Sequence, residues 1–150
     1  MSQTTDGEIE RVERVLDSTL DSVDVAEADV TRLAEKAGVD EEDLHRIGIA
    51  VRESMVNAVV HGNRYNVRKK VHFDVTLSAD AERNRLAITI EDEGEGFHKK
   101  EVPDPLADEN LLRHSGRGLL LIEAFMDQFL VEPRQPSGTK VTLVKYRTRT

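Results

Sequence analysis

The chain has 150 residues, 21 lysines and arginines against 29 aspartates and glutamates, and no cysteine or tryptophan, for a formal net charge of −8. That length suits one domain of about 100 to 150 residues and is expected to leave no room for a separate sensor, membrane or DNA-binding module. The missing cysteines exclude disulfides, iron–sulfur clusters, thiol nucleophiles and thiolate zinc sites, and the acidic balance argues against nonspecific binding to nucleic acid. The longest apolar runs, such as Gly118 to Ile122, fall far short of the ~18 residues of a membrane span, and the start of the chain lacks a basic, then apolar, leader. A cytoplasmic protein with a protein or small-molecule partner is expected.

Residues 9 to 20 fit two readings, because Ile9, Val12, Leu16 and Leu20 follow a helical period while Glu-Arg-Val-Glu-Arg-Val-Leu also suits an edge strand. Residues 22 to 37 repeat apolar side chains at Ala26, Val30, Leu33 and Ala37 and reach Gly38, the signature of an amphipathic helix with a C-terminal glycine. Asp40 then caps a second helix whose stripe is Leu44, Ile47, Val51, Met55 and Ala58. Val71, Phe73, Val75 and Leu77, then Leu86, Ile88 and Ile90, alternate as strands with one buried face, and Asn84 is expected to mark the turn between them. Residues 97 to 117 hold Pro103 and Pro105 between glycine-rich ends and read as a long loop, either a functional lid or disordered surface. Gly118 to Asp127 reads as a helix, Gln128 to Glu132 as a short strand, and Thr139, Val141 and Leu143 as a last strand. The order predicts an α+β two-layer sandwich, a mixed and mostly antiparallel sheet covered on one face by helices.

Four places carry chemistry. At about 100° per residue, Glu53 and Asn57 share the helix face opposite the core stripe, flanked there by Ile49, Val56 and Val60. A carboxylate and an amide among aliphatics either bond neighbouring backbone or form a metal or phosphate site, the amide oxygen taking a hard cation such as Mg²⁺ and the carboxylate accepting a proton. Asp92 has the parity of Leu86, Ile88 and Ile90, so its side chain is expected to point inward, just before Gly94 and Gly96. An inward carboxylate suits an amino group such as that of adenine; a simple turn is the other reading. Ser115, Gly116, Arg117 and Gly118 lead into a helix, where unpaired N–H groups make a place for phosphate. Thr139, after Gly138, could turn its hydroxyl toward Asp92 or a ligand, or satisfy only backbone. His61 reads as a helix-end hydrogen-bonding residue, and Arg64, Arg68, Lys69 and Lys70 as a solvated loop or a docking patch.

In order the signals read Glu53-Ser-Met-Val-Asn57-Ala-Val-Val-His-Gly, Asp92-Glu-Gly-Glu-Gly-Phe, Ser115-Gly-Arg-Gly-Leu-Leu-Leu-Ile and Gly138-Thr-Lys-Val. The set resembles the nucleotide-binding fold of gyrase, heat-shock ATPase chaperones, histidine kinases and mismatch-repair ATPases, and more closely the stand-alone anti-sigma-factor serine/threonine kinases of bacteria, over residues 8 to 147. The resemblance implies an ATP-dependent kinase that phosphorylates a small anti-sigma antagonist and binds a sigma factor, and it leaves a homodimer open. By that resemblance Asn57 would coordinate Mg²⁺, Glu53 would be the base, and Asp92, supported by Thr139, would bind the adenine amino group. Gly94 and Gly96 would shape the pocket and the hinge of a lid at 97–117, and Ser115, Gly116, Arg117 and Gly118 would hold phosphates. Related kinases place an arginine directly before Ser-Gly-x-Gly; here that place is His114, with Arg113 one residue earlier, so Arg113, His114 and Arg117 all remain candidates for the γ-phosphate. The competing function is a nucleotide-gated binding module without phosphotransfer.

Overall fold

A computed structural model describes residues 7–95 and 118–148. The elements are β1 (Gly7–Asp17), α1 (Asp21–Lys36), α2 (Glu41–Val56), a π-helical segment (Asn57–Gly62), β2 (Lys70–Ala79), β3 (Arg83–Glu91), α3 (Gly118–Phe125), β4 (Gln128–Pro133) and β5 (Thr139–Thr148). The five strands form one sheet in the order β1-β2-β3-β5-β4. Every pairing among the described strands is antiparallel, so the mostly antiparallel sheet expected from the sequence has no parallel pair there. Val71, Phe73, Val75 and Leu77 of β2 and Leu86, Ile88 and Ile90 of β3 are buried with Val30 and Leu33 of α1 and Ile47, Val51 and Met55 of α2. The helices therefore cover one face of the sheet.

The ambiguity at residues 9 to 20 resolves as a strand. Val12 and Leu16 are four apart, which satisfies both a helical period and strand parity, and both pack on the core from β1. Ile9, which suited only the helix, is exposed, and so is Leu20, which lies beyond the end of β1. The other residues on the inner parity of β1 are ionic: Arg14 bonds Asp29 of α1, and Glu10 bridges Arg32 and Lys36 at 2.7 and 2.9 Å. Hydrogen bonds from Arg32 and then Lys36 hold the Glu10 carboxyl at about 2.

The helix ends follow local chemistry. Gly38 takes φ 86°, and the Gly38 and Val39 amides bond the carbonyls of Glu35 and Ala34, a Schellman closure that ends α1 where the sequence placed it. Asp40 accepts from the Asp43 amide at 2.9 Å and starts α2. The turn between β2 and β3 is a correction. Asp80 builds it, its Oδ1 accepting from the Glu82 and Arg83 amides at 2.8 and 2.9 Å, whereas Asn84 already lies in β3 and donates to the Ala37 carbonyl. The last helix stops at Phe125, short of Asp127, because the Asp127 amide bonds the Val144 carbonyl and its carboxylate accepts from the Tyr146 amide, which ties it to β5. The stretch 97–117 expected to form a lid lies outside the described residues.

Removing the Asp40 cap with Asp40→Ala is expected to cost about 0.5 to 2 kcal/mol. Urea unfolding reads this as a lower midpoint at unchanged slope.

Candidate functional site

The core stripe of α2 turns Glu53 and Asn57 away from the sheet, and both are half-buried beside Val56 and Val60. Neither side chain has a hydrogen-bond or ion-pair partner among the described residues, so the alternative of a pair satisfied by neighbouring backbone is not what forms. The Asn57 amide still closes α2, donating to the Glu53 and Ser54 carbonyls, and from Asn57 onward the helix widens. The Asn63 amide reaches back five residues to the Ala58 carbonyl at 2.8 Å. A π turn of this kind breaks the 3.6-residue phase and is frequent at functional sites.

Asp92 follows β3 with the parity of Ile88 and Ile90, and it is only 6 % exposed. Its amide donates to the Thr139 carbonyl at 3.0 Å, and its Oδ1 accepts from the amides of Gly94 and Thr139 at 2.9 and 3.2 Å. Thr139 thus meets Asp92 through its backbone instead of its hydroxyl. Three glycines let the main chain close on this residue. A Cβ on Gly62 would strike the Asp92 carboxylate, one on Gly94 would strike the Gly62 carbonyl, and one on Gly138 would strike the Asp92 carbonyl. Gly138 also sits at φ 106°, which other residues rarely adopt. Three of the sequence signals, through Gly62, Gly94 and Gly138, therefore converge around one residue, Asp92.

Burial pushes the Asp92 carboxyl above its ordinary range, and the Gly94 and Thr139 N–H bonds, with the fields of Arg134 and Lys69, pull it partly back. Its Oδ2 accepts no hydrogen bond from any described residue. A buried carboxylate oxygen without a donor is costly by itself and fits an amino group brought by a ligand.

The sequence reading missed the residues that hold this turn. Asn63, 1 % exposed, donates from Nδ2 to Ser18 Oγ and the Lys70 carbonyl at 2.9 and 3.0 Å, and its Oδ1 accepts from the Glu93 amide at 2.7 Å. Glu93 accepts from the Lys70 amide and meets His72 Nε2 at 2.6 Å, and the His72 bond is the main cause holding its carboxyl below the usual range. Arg134 bonds Glu91 at 3.0 Å and, through its amide, the Gly138 carbonyl at 2.9 Å, so it steadies the approach to β5. The only signal for Asn63 was its place directly after His61-Gly62; its burial depends on contacts with residues 18, 70 and 93.

Gly118 is buried at the start of α3, which packs against α2 and so lies beside the Glu53–Asn57 helix. The other expected ligand-binding residues, Gly96, Arg113, His114, Ser115, Gly116 and Arg117, fall outside the described residues. His61 is exposed and makes no side-chain hydrogen bond among the described residues, so the expected helix-end bond does not form there. Of the basic run, Lys70 opens β2 instead of lying in the loop, and it pairs with Asp17 at 2.7 Å.

The raised Asp92 value has a sign. The folded chain holds that proton more tightly than the unfolded one, so the stability it contributes is complete below the unfolded carboxyl range and is lost as pH rises through the folded value. Asp92→Asn, which can keep an acceptor for both N–H bonds, is expected to melt no lower than the wild type at pH 7 without nucleotide. Its margin over the wild type should shrink toward acid pH, a trend that thermal unfolding across pH records.

The family model described as "Histidine kinase-like ATPase domain" matches residues 16–145. The anti-sigma F factor of Clostridium perfringens strain 13 is 33% identical over 106 residues, covering 69% of this chain and 73% of that protein. The anti-sigma F factor of Bacillus thuringiensis strain Al Hakam is 36% identical over 107 residues, 70% of each chain. The solved structure of the RsbU and RsbW domains of a Mycobacterium tuberculosis protein superposes with a TM-score of 0.60 over 95% of this chain, 34% of that longer one, at 20% identity, a likeness of fold. No helix among the described residues is long and apolar enough to cross a membrane.

Proposed function

Since the chain belongs to the histidine kinase-like ATPase family, in company with the anti-sigma F factors, we propose that it is an anti-sigma factor that binds a sigma factor and uses Mg-ATP to phosphorylate a serine or threonine of a small antagonist protein. The observation that carries the reading is the Oδ2 of Asp92, buried, glycine-walled and without a donor among the described residues. Adenine presents the amino group such an acceptor wants, and the protein's own bonds to Oδ1 leave Oδ2 as the free point of recognition.

Asn57 has a side-chain oxygen that no described residue uses. No cluster of three or more His, Asp or Glu residues among the described ones forms a ready metal cage. A single amide oxygen suits Mg²⁺, which keeps waters and takes its remaining ligands from phosphates. When bound, that ion supplies charge neutralisation on the phosphates. Glu53, one helical turn before Asn57, takes the proton of the antagonist hydroxyl as its oxygen bonds the γ-phosphorus and the bond to the bridging oxygen of ADP breaks. Ser115, Gly116, Arg117 and Gly118 are proposed to hold the phosphates, with Arg113, His114 or Arg117 on the γ-phosphate, and a cytoplasmic setting follows from a sigma factor as partner.

Two variants separate binding from transfer. Asp92→Asn is expected to weaken ATP by about 13- to 160-fold, the value of one charge-assisted hydrogen bond of about 1.5 to 3 kcal/mol, as read by calorimetry. Glu53→Ala should keep ATP affinity and slow phosphate transfer by about 10² to 10⁴. The assay is transfer of labelled γ-phosphate to proteins that co-purify with the chain from its host. Transfer at the wild-type rate by Glu53→Ala would remove Glu53 from the chemistry. A wild type that binds ATP and transfers to no co-purified protein would leave a nucleotide-gated binding module.

A further inference from the structure

We infer that Asn63 is a positioning residue for nucleotide recognition, one that sets the direction of the Asp92 carboxylate from the far side of the turn. The inference rests on the reading of Asp92 as the adenine acceptor. Two peptide groups flank the Asp92 Cα, and each is held by one bond. The N–H on the β3 side donates to the Thr139 carbonyl at 3.0 Å, and the N–H on the other side, that of Glu93, donates to Asn63 Oδ1 at 2.7 Å. With both planes pinned, rotation about the Asp92 backbone is closed off, and Oδ1 already engaged by Gly94 and Thr139 leaves Oδ2 with a fixed aim.

The Asn63 amide can do this in one orientation only. Its two Nδ2 hydrogens go to Ser18 Oγ and the Lys70 carbonyl, and Ser18 Oγ passes its own hydrogen to the Lys69 carbonyl at 2.6 Å. Turning the amide over would set an N–H against the Glu93 N–H and an oxygen against the Lys70 carbonyl, two repulsions in a site that is 1 % exposed. Asn63 also follows Gly62, whose backbone lies against the Asp92 carboxylate. One side chain therefore ties the β1–α1 corner, the start of β2 and the end of the π segment to the turn that presents Asp92.

A residue that acts through Asp92 loses its effect when Asp92 loses its own. The test is a double-mutant cycle on ATP affinity, measured by calorimetry with Mg-ATP on wild type, Asn63→Ala, Asp92→Asn and the double variant, each checked for a cooperative melt. Asn63→Ala is expected to weaken ATP by about tenfold in the wild-type background and by no more than about twofold in the Asp92→Asn background. The same factor in both backgrounds would overturn the assignment, because a general loosening of the fold weakens binding whether or not Asp92 is intact. If Asn63→Ala does not fold, Ser18→Ala takes its place in the cycle, since it removes one anchor of the amide. A loss of ATP affinity there that vanishes beside Asp92→Asn supports the role, and unchanged affinity overturns it. Wild type that binds no ATP would defeat the reading of the pocket itself, whereas wild type that binds ATP with additive variants defeats only the role of Asn63.

Discussion

A carboxylate placed in the interior at Asp92 constrains everything around it. The residue is only 6 % exposed, so little of its charge can be met by bulk solvent, and the bonds the chain supplies come from its backbone. The Gly94 and Thr139 amides take Oδ1, and main chain at Gly62, Gly94 and Gly138 comes closer than any side chain would allow. The cost of burial is visible in the raised carboxyl range. Accepting that cost while leaving Oδ2 without a donor among the described residues makes sense for a site completed by a ligand, and it places recognition above stability at this one position.

The fold is arranged to bring three remote segments to that point. β3 delivers Asp92, β5 begins beside it at Thr139, and α2 runs on through a widened turn that sets Gly62 and Asn63 against it. An ordinary helical turn would have continued the α2 phase. The π segment shifts it just where Glu53 and Asn57 give way to the pocket wall, so the residues proposed for chemistry and those proposed for adenine share one continuous element. The sheet behind them is ordinary apolar packing of β2 and β3 on α1 and α2.

Much of this was legible in the order of residues. Strand parity carried Asp92 inward because β3 stays regular to its end, and an Asp cap with a glycine stop marked the helices because those devices are local. Residues 9 to 20 stayed open because Val12 and Leu16 satisfy both periods, and the choice was made by backbone pairing of β1 with Lys70–Ala79 of β2, a partner distant in sequence. Asn84 was mistaken for the turn residue because its type favours turns, while Asp80, four residues earlier, could bond the two following amides at Glu82 and Arg83. Asn63 was invisible for a different reason. Its three partners sit on three other segments, and no local pattern distinguishes a buried amide from an exposed loop asparagine.

The central claim is that Asp92 Oδ2 reads an amino group on the base. Calorimetry of the wild-type chain with Mg-ATP and Mg-ITP tests it most directly, since inosine differs from adenosine in carrying an oxygen in place of the 6-amino group. The account predicts that ATP binds tighter than ITP by about tenfold or more, because the oxygen cannot donate and instead faces the carboxylate. Equal affinity for the two nucleotides would contradict it.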